Sequence, residues 1–467
     1  MRKKGRGSSA STKPRMSEVA PVISSHYDRR VGNVACGFFD SIGVETPMRP
    51  FKSYRVRRAL ILTLSLVWFI TTDSTAEDLA MVSQDWPQWR GPERDGVSSE
   101  TGLLTEWPVE GPREVWRIRG GSGYSTVAVV GGRAFTMFAS GDAEFAVCLD
   151  VTSGKEIWRA GLGELLVDND GADGPRATPT VDDDRVYAVS AMGKLYALDV
   201  ATGVEHWHVD LREDYSASMP RYGYSGSPLV EGELLLIESG GAAGKSILAL
   251  NKRTGEEVWS SQRDLMSYSS PIVFDTAGER HVVFFTAWAV LAISPEDGRS
   301  LWRHDWVGTD NMVTPIFIAP NRIFVSSWTG ASVLEITGSG EEIAIQELWH
   351  KKTLRNGYNS WVHREGHLYG YDGSILKCVN VETGELAWQT RGQGEGTLIM
   401  ADGNLIILTV DGELVVAQAS SDEYREIATA QVLEGSCLSS PTLAAGRLYL
   451  RNLMEIVCLD LAQKEGI

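Results

Sequence analysis

Asp168, Asp170 and Asp173 lie within one short loop, Asp168-Asn169-Asp170-Gly171-Ala172-Asp173-Gly174. Oxygen donors at alternate positions round a tight turn are what a hard cation such as Ca²⁺ takes. The loop lacks the distant Glu that completes an EF-hand, and a solvated Asx-rich turn accounts for the same residues with less. A second constellation is aromatic. Tyr124, Tyr268 and Tyr358 fall in register within a repeat described below, Tyr224 is offset by one, and Arg176, Asn311, Asn356, Asn359, Trp361 and His363 lie close by in sequence. Tyr and Trp offer broad faces with a polar handle, while Arg and Asn add hydrogen bonds, a set suited to a small ligand or a peptide. The simpler alternative is that these tyrosines wedge neighbouring sheets and satisfy their hydroxyls locally. No nucleophile, base and orienter stand at a telling spacing, so no catalytic residue is assigned. No Gly-rich phosphate cradle links a strand to a helix, and the five Cys and eight His show no metal-ligand spacing.

The elements that must position these residues are read from Arg176 to Trp207, RATPTVDDDRVYAVSAMGKLYALDVATGVEHW. Two short alternating segments, RVYAV and LYALDV, read as strands packed on both sides. Between the second and the Trp lies an Asp-x-x-Thr-Gly corner, in which Asp and Thr side chains bond turn N–H groups and Gly supplies a positive φ. The unit recurs as LDVTSGKEIW, LNKRTGEEVW, ISPEDGRSLW and VNVETGELAW, with a divergent copy ending at Trp349. The repeat tryptophans are Trp116, Trp158, Trp207, Trp259, Trp302, Trp349 and Trp388, and their spacing of 39 to 52 residues is that of a four-stranded propeller blade. Inner strands are expected to begin near Ser125, Thr178, Ser227, Ser270, Thr314, Ser360, Thr397 and Ser440, five of them followed directly by Pro. The sequence therefore predicts an all-β, eight-bladed β-propeller over residues 114–467, closed by an N-terminal strand near Glu114-Trp116 that completes the last blade. Closure hides the sheet edges, and a monomer is expected.

Charge narrows the function classes. The chain has a formal net charge of −17, but residues 1–58 hold thirteen Lys/Arg and four Asp/Glu, a net +9, which leaves −26 on the rest. So acidic a body repels nucleic acid and anionic lipid. Residues 1–54 are basic, Ser- and Gly-rich and without hydrophobic periodicity, and are expected to be disordered. Residues 55–76 read as a cleaved signal peptide: a basic segment, an apolar run from Ala59 to Thr72 too short for a comfortable span, and a small-residue end at Ala76. Met48 is a candidate true start. An exported protein of the periplasm or cell envelope, without a stable membrane span after cleavage, is the expectation. Residues 77–113 carry three Trp with Pro and Gly between Asp85 and Pro108, and read as a cap laid across the ring. Cys148, Cys378 and Cys458 share one repeat position with Ala197, Ala249 and Ala292, where a small buried residue is wanted.

The corner motif, with WPQWRGPERDGVS, DGPRATPTV, YGYSGSPLV, HLYGYDGSILKCVN and GRLYLRN, resembles the pyrroloquinoline quinone (PQQ)-type β-propeller superfamily over about residues 85–462. Within it the chain is similar to exported repeat proteins of planctomycete-type bacteria, described as similar to the outer-membrane assembly factor BamB. That resemblance implies a non-catalytic scaffold docking envelope proteins on its loops, with no cofactor. The same repeat occurs in PQQ-dependent alcohol and sugar dehydrogenases, for which the resemblance implies a quinone on Ca²⁺, sandwiched between a Trp and a vicinal disulfide beside a catalytic Asp. This chain has no adjacent Cys pair, no C-x-x-C-H haem motif and no assignable calcium set, which counts against the dehydrogenase alternative. It also lacks a lipobox Cys at the end of the signal.

Overall fold

A computed structural model describes residues 84–463 apart from 169, 170, 309 and 393. The basic extension, Met48, the signal and Asp170 lie outside the described residues. Eight four-stranded antiparallel sheets form the chain into a β-propeller. Seven blades are continuous in sequence, at 128–164, 180–210, 229–261, 272–305, 316–351, 362–390 and 396–431; the eighth combines three strands at 442–460 with Arg113–Arg119 as its outer strand. The expected closing strand is thus confirmed, with Trp116 opposite Cys458. Among the described residues, helix is confined to Leu211–Tyr215 and one 3₁₀ turn, Gly340–Glu342. Among the described residues no helix is long and apolar enough to cross a membrane.

The strand signals translate directly into burial. Val186, Tyr187, Ala188 and Val189 are all fully buried, because middle strands pack against a neighbouring blade on each face. Outer strands alternate, as in Glu156–Glu164, where Trp158 and Leu162 point inward among exposed neighbours. The inner strands begin two to three residues later than the sequence suggests, at 128, 180, 229, 272, 316, 362 and 442, while the seventh, Gly396–Ala401, already contains Thr397. The displaced hydroxyl residues serve another purpose. Thr178 Oγ1 accepts from Thr126 N–H, Ser227 Oγ from Thr178 N–H, Ser270 Oγ from Ser227 N–H and Ser360 Oγ from Thr314 N–H, at 2.8 to 3.3 Å. A relay of hydroxyls therefore stitches blade to blade round the channel. The prolines that follow these residues have no N–H to leave unpaired there.

The tryptophans bolt the blades at their outer edge. Indole N–H groups of Trp116, Trp158, Trp207, Trp259, Trp349 and Trp388 donate to backbone carbonyls of the next blade, at Val151, Val200, Lys252, Pro295, Val381 and Ser420. The corner Gly lies flat on the indole: a Cβ at Gly203 (φ +71°) would lie 2.5 Å from Trp158, and one at Gly255 (φ +76°) 2.7 Å from Trp207. Corner acids work as expected, with Asp199 Oδ1 accepting from Ala201 N–H, Thr202 N–H and Thr202 Oγ1. Every blade carries a register shift immediately beside the Trp position, a bulge that twists the outer strand toward its neighbour. Two junctions differ. Trp302 donates to His281 Nδ1 within its own blade, because the next corner is the divergent one. Blade seven has Ala428 at the Trp position, and Trp107 donates to Thr429 O on that strand.

Residues 84–104 plug one end of the channel. Trp86 pairs with Val129, Pro87 O accepts from Val181 N–H, Ser98 N–H donates to Met400 O, and Leu103 pairs with Ala462. Two fully buried arginines lock the plug: Arg94 donates to Gln88 Oε1, Ser227 O and Pro228 O, and Arg90 to the carbonyls of Asp95 and Trp361. Desolvation lowers both guanidinium pKa values, to about 9 for Arg94 and about 10 for Arg90.

Candidate functional site

The plug leaves the other end of the channel open as a cavity of about 440 Å³. Trp89 reaches it from the plug, held by its indole N–H on Thr314 Oγ1 at 2.8 Å. Loops that enter blades one, three, four and six bring in Tyr124, Tyr222, Tyr268 and Tyr358, and Trp328 stands half exposed between the second and third strands of blade five. Met312 and Leu438 add apolar wall, and Ser225, Ser227, Ser270 and Ser439 add hydroxyls. The Tyr222 and Tyr268 rings pack with centroids 5.5 Å apart.

Charge in the cavity is internally balanced. Arg176 donates to Asp168 Oδ2 at 2.6 Å, both side chains over nine-tenths buried, and also to the carbonyls of Ala172 and Gly174. Its guanidinium lies 5.6 Å from the Tyr124 ring centroid, and Arg221 lies over Tyr222. The Tyr124 hydroxyl accepts from Ala172 N–H at 2.8 Å. Burial raises the phenol pKa of Tyr268; burial and the nearby Glu395 carboxylate raise that of Tyr358.

Of the aromatic constellation read from sequence, the structure brings Tyr124, Arg176, Tyr268 and Tyr358 together at the cavity. The others lie elsewhere. Tyr224 is buried between blades two and three, its hydroxyl on Ser239 O and its ring against Gly193. Asn311 ties two loops through Thr286 O and Ser267 Oγ, and Asn356 closes a turn on Asn359. Trp361 is fully buried edge-on to Phe324, and His363 sits on the inner strand of blade six with its pKa lowered by burial. Trp89, Tyr222, Trp328 and Met312 were not singled out by sequence. Trp89 belongs to a segment read only as a cap, and Tyr222 and Trp328 occupy no repeated register.

A calcium-bound quinone would need oxygen ligands free on the cavity wall. Asp168 is the carboxylate on its wall and is engaged by Arg176, while Asp173 accepts from Asp168 N–H. No group of three His, Cys, Asp or Glu among the described residues could hold a metal ion. Cys148, Cys378, Cys437 and Cys458 are free and buried, with thiol pKa values pushed up to about 11 or 12 by burial. These residues do not fit the group.

The architecture is matched by solved structures of low sequence identity, which speak for the fold alone. BamB from Moraxella catarrhalis superposes with a TM-score of 0.53 at 14% identity, covering 76% of this chain and 99% of that one. Quinohemoprotein alcohol dehydrogenase from Comamonas testosteroni gives 0.59 at 15% identity, with 82% and 81% covered. In sequence, the outer membrane protein assembly factor BamB of Xanthomonas campestris pv. campestris is 31% identical over 108 residues, which are 23% of this chain and a quarter of that protein. The family model described as outer membrane protein assembly factor BamB matches residues 142–390, more than half of the sequence. The bolted corners, the closed ring and this match converge on one statement: the chain belongs to the BamB family of PQQ-like propeller proteins.

Proposed function

We propose that the protein is an exported propeller scaffold of the cell envelope that binds protein partners on its loops without catalysing a reaction. The observation that carries this reading is a run of exposed apolar side chains beside the open mouth. Leu265, Trp288, Val307 and Trp328 are 45 to 84% exposed. Their loops are tied to one another, with Ala287 N–H on Leu265 O, Trp306 N–H on Trp288 O, and Thr329 beside Gly308. Apolar groups clustered on the loops of a rigid body mark an interaction surface. Family membership supports envelope residence and protein partners. The alternative, a PQQ-dependent dehydrogenase or a relative that retains ligand binding without turnover, draws on the likeness of fold and on the presence of a cavity.

A photo-crosslinker placed at Val307 in cells tests the scaffold reading. A discrete adduct, absent when the crosslinker stands at exposed Val204 on the far corner of blade two, is expected. Saturable binding of PQQ with Ca²⁺ and dye-linked oxidation of alcohols or aldoses would replace this reading with the dehydrogenase.

A further inference from the structure

From the chemistry of its walls, we infer that the mouth cavity binds the end of a neutral saccharide chain. The inference does not depend on protein docking at the rim. Three features select the ligand class. First, the faces: Trp89, Tyr222, Tyr268, Tyr358 and Trp328 surround a space of about 440 Å³, the range of a small-molecule site. Flat aromatic faces suit the apolar C–H faces of a sugar ring.

Second, three of the hydroxyls between those faces are left as donors. Backbone N–H groups occupy an acceptor position on Tyr124, Ser227 and Ser270. Each O–H hydrogen is thereby left to reach an oxygen in the cavity. A purely hydrocarbon guest would strand these donors, which costs affinity for each one left without a partner. A polyhydroxylic guest satisfies them and can donate in return.

Third, the charge excludes ions of either sign. The Asp168–Arg176 pair cancels on the wall. The acidic body disfavours anions, including a carboxylated quinone or a phosphorylated sugar. Cations meet Arg176 and Arg221 already seated on the Tyr124 and Tyr222 rings. What remains is neutral, oxygen-rich and flat-faced.

The test titrates the purified full chain with cellobiose, maltose, lactose and N,N′-diacetylchitobiose up to about 10 mM, read by tryptophan fluorescence and calorimetry. Saturable binding of at least one is expected. Tyr124→Phe, which keeps the ring and removes the hydroxyl, and Trp328→Ala should each weaken it about tenfold. Val307→Ala should leave saccharide binding unchanged, which separates this site from the docking rim. Silence from all four sugars overturns the inference. So does binding that both cavity variants leave intact, or saturable occupation of the cavity by PQQ with Ca²⁺.

Discussion

Replacing Gly203 by Ala probes whether the tryptophan bolts hold the ring. Gly203 has φ +71°, a region where an L-residue costs about 1–2 kcal/mol. A Cβ there would also stand 2.5 Å from Trp158, so the indole must move. Moving it strains a packed junction by about 1–3 kcal/mol. It also stretches the 3.0 Å bond from Trp158 Nε1 to Val200 O, worth about 1 kcal/mol net. The sum is about 3–6 kcal/mol. Gly232 supplies the control: its φ is +58°, yet a Cβ would meet nothing within 4 Å. Gly232→Ala should therefore cost only the backbone part, about 1–2 kcal/mol. Urea unfolding followed by fluorescence and circular dichroism would compare the midpoints. In a Trp158→Leu background, Gly203→Ala should fall to the Gly232 value, because the flat face that rejects the Cβ is gone. Equal midpoint shifts for Gly203→Ala and Gly232→Ala would refute the view that this contact, rather than backbone conformation, demands glycine.

Further outcomes follow from the same geometry. The Asp150 carboxylate is held below its ordinary pKa of 3.8 by hydrogen bonds from Thr152 and Ser153. Its contribution is complete above that ordinary value and lost as pH falls through the lower folded one; Asp150→Asn should flatten the urea midpoint between pH 5 and pH 2, to about the extent that one carboxylate contributes. Glu238 runs the other way: burial raises its pKa well above 4.5 while Ser267 N–H bonds it, so its cost grows as pH rises above 4.5 toward the folded value. Glu238→Gln should thus stabilise the protein more at pH 7 than at pH 4, a difference read from melting temperatures. Arg94→Met strands the Ser227 and Pro228 carbonyls beneath the plug and should cost about 3 kcal/mol, measured by urea unfolding. Cys148, Cys378, Cys437 and Cys458 should resist iodoacetamide at pH 8 in the native protein and react once it is denatured, as mass spectrometry would report.

Blade number and closure were legible because the forces that set them are local and repeated. In five blades an Asp-x-x-Thr-Gly corner or a close variant ends the third strand and a Trp follows four residues after the Gly, so each of those copies announces the same kind of turn and the same stacking contact. The bulge beside every Trp was not legible. It arises from how the outer strand must twist to reach the next blade, and no residue type at that position reports it. The inner strands were placed slightly early for a related reason. Ser and Thr before Pro look like strand starts, whereas their hydroxyls are used between blades, at Thr178, Ser227 and Ser270, before the ladder begins.

The cavity obeys a different rule. Its walls come from loops of unequal length in different blades, and from Trp89, which arrives from outside the repeat altogether. Register arguments found Tyr124, Tyr268 and Tyr358 because those loops keep the repeat's phase up to the inner strand. They placed Tyr224 wrongly, since one residue's offset takes it out of the register that faces the channel: it is buried between blades, and Tyr222, set in a turn and separated from it by Gly223 at φ +76°, lines the cavity instead. Repetition therefore encodes the ring, and departures from it encode what the ring can hold. In a closed propeller the blades must resemble each other to pack, so a chain can vary its chemistry only where they need not touch: in the mouth loops, the plug and the rim. Those are the places where this chain puts Leu265, Trp288, Val307 and Trp328 and its unrepeated aromatics Trp89 and Tyr222.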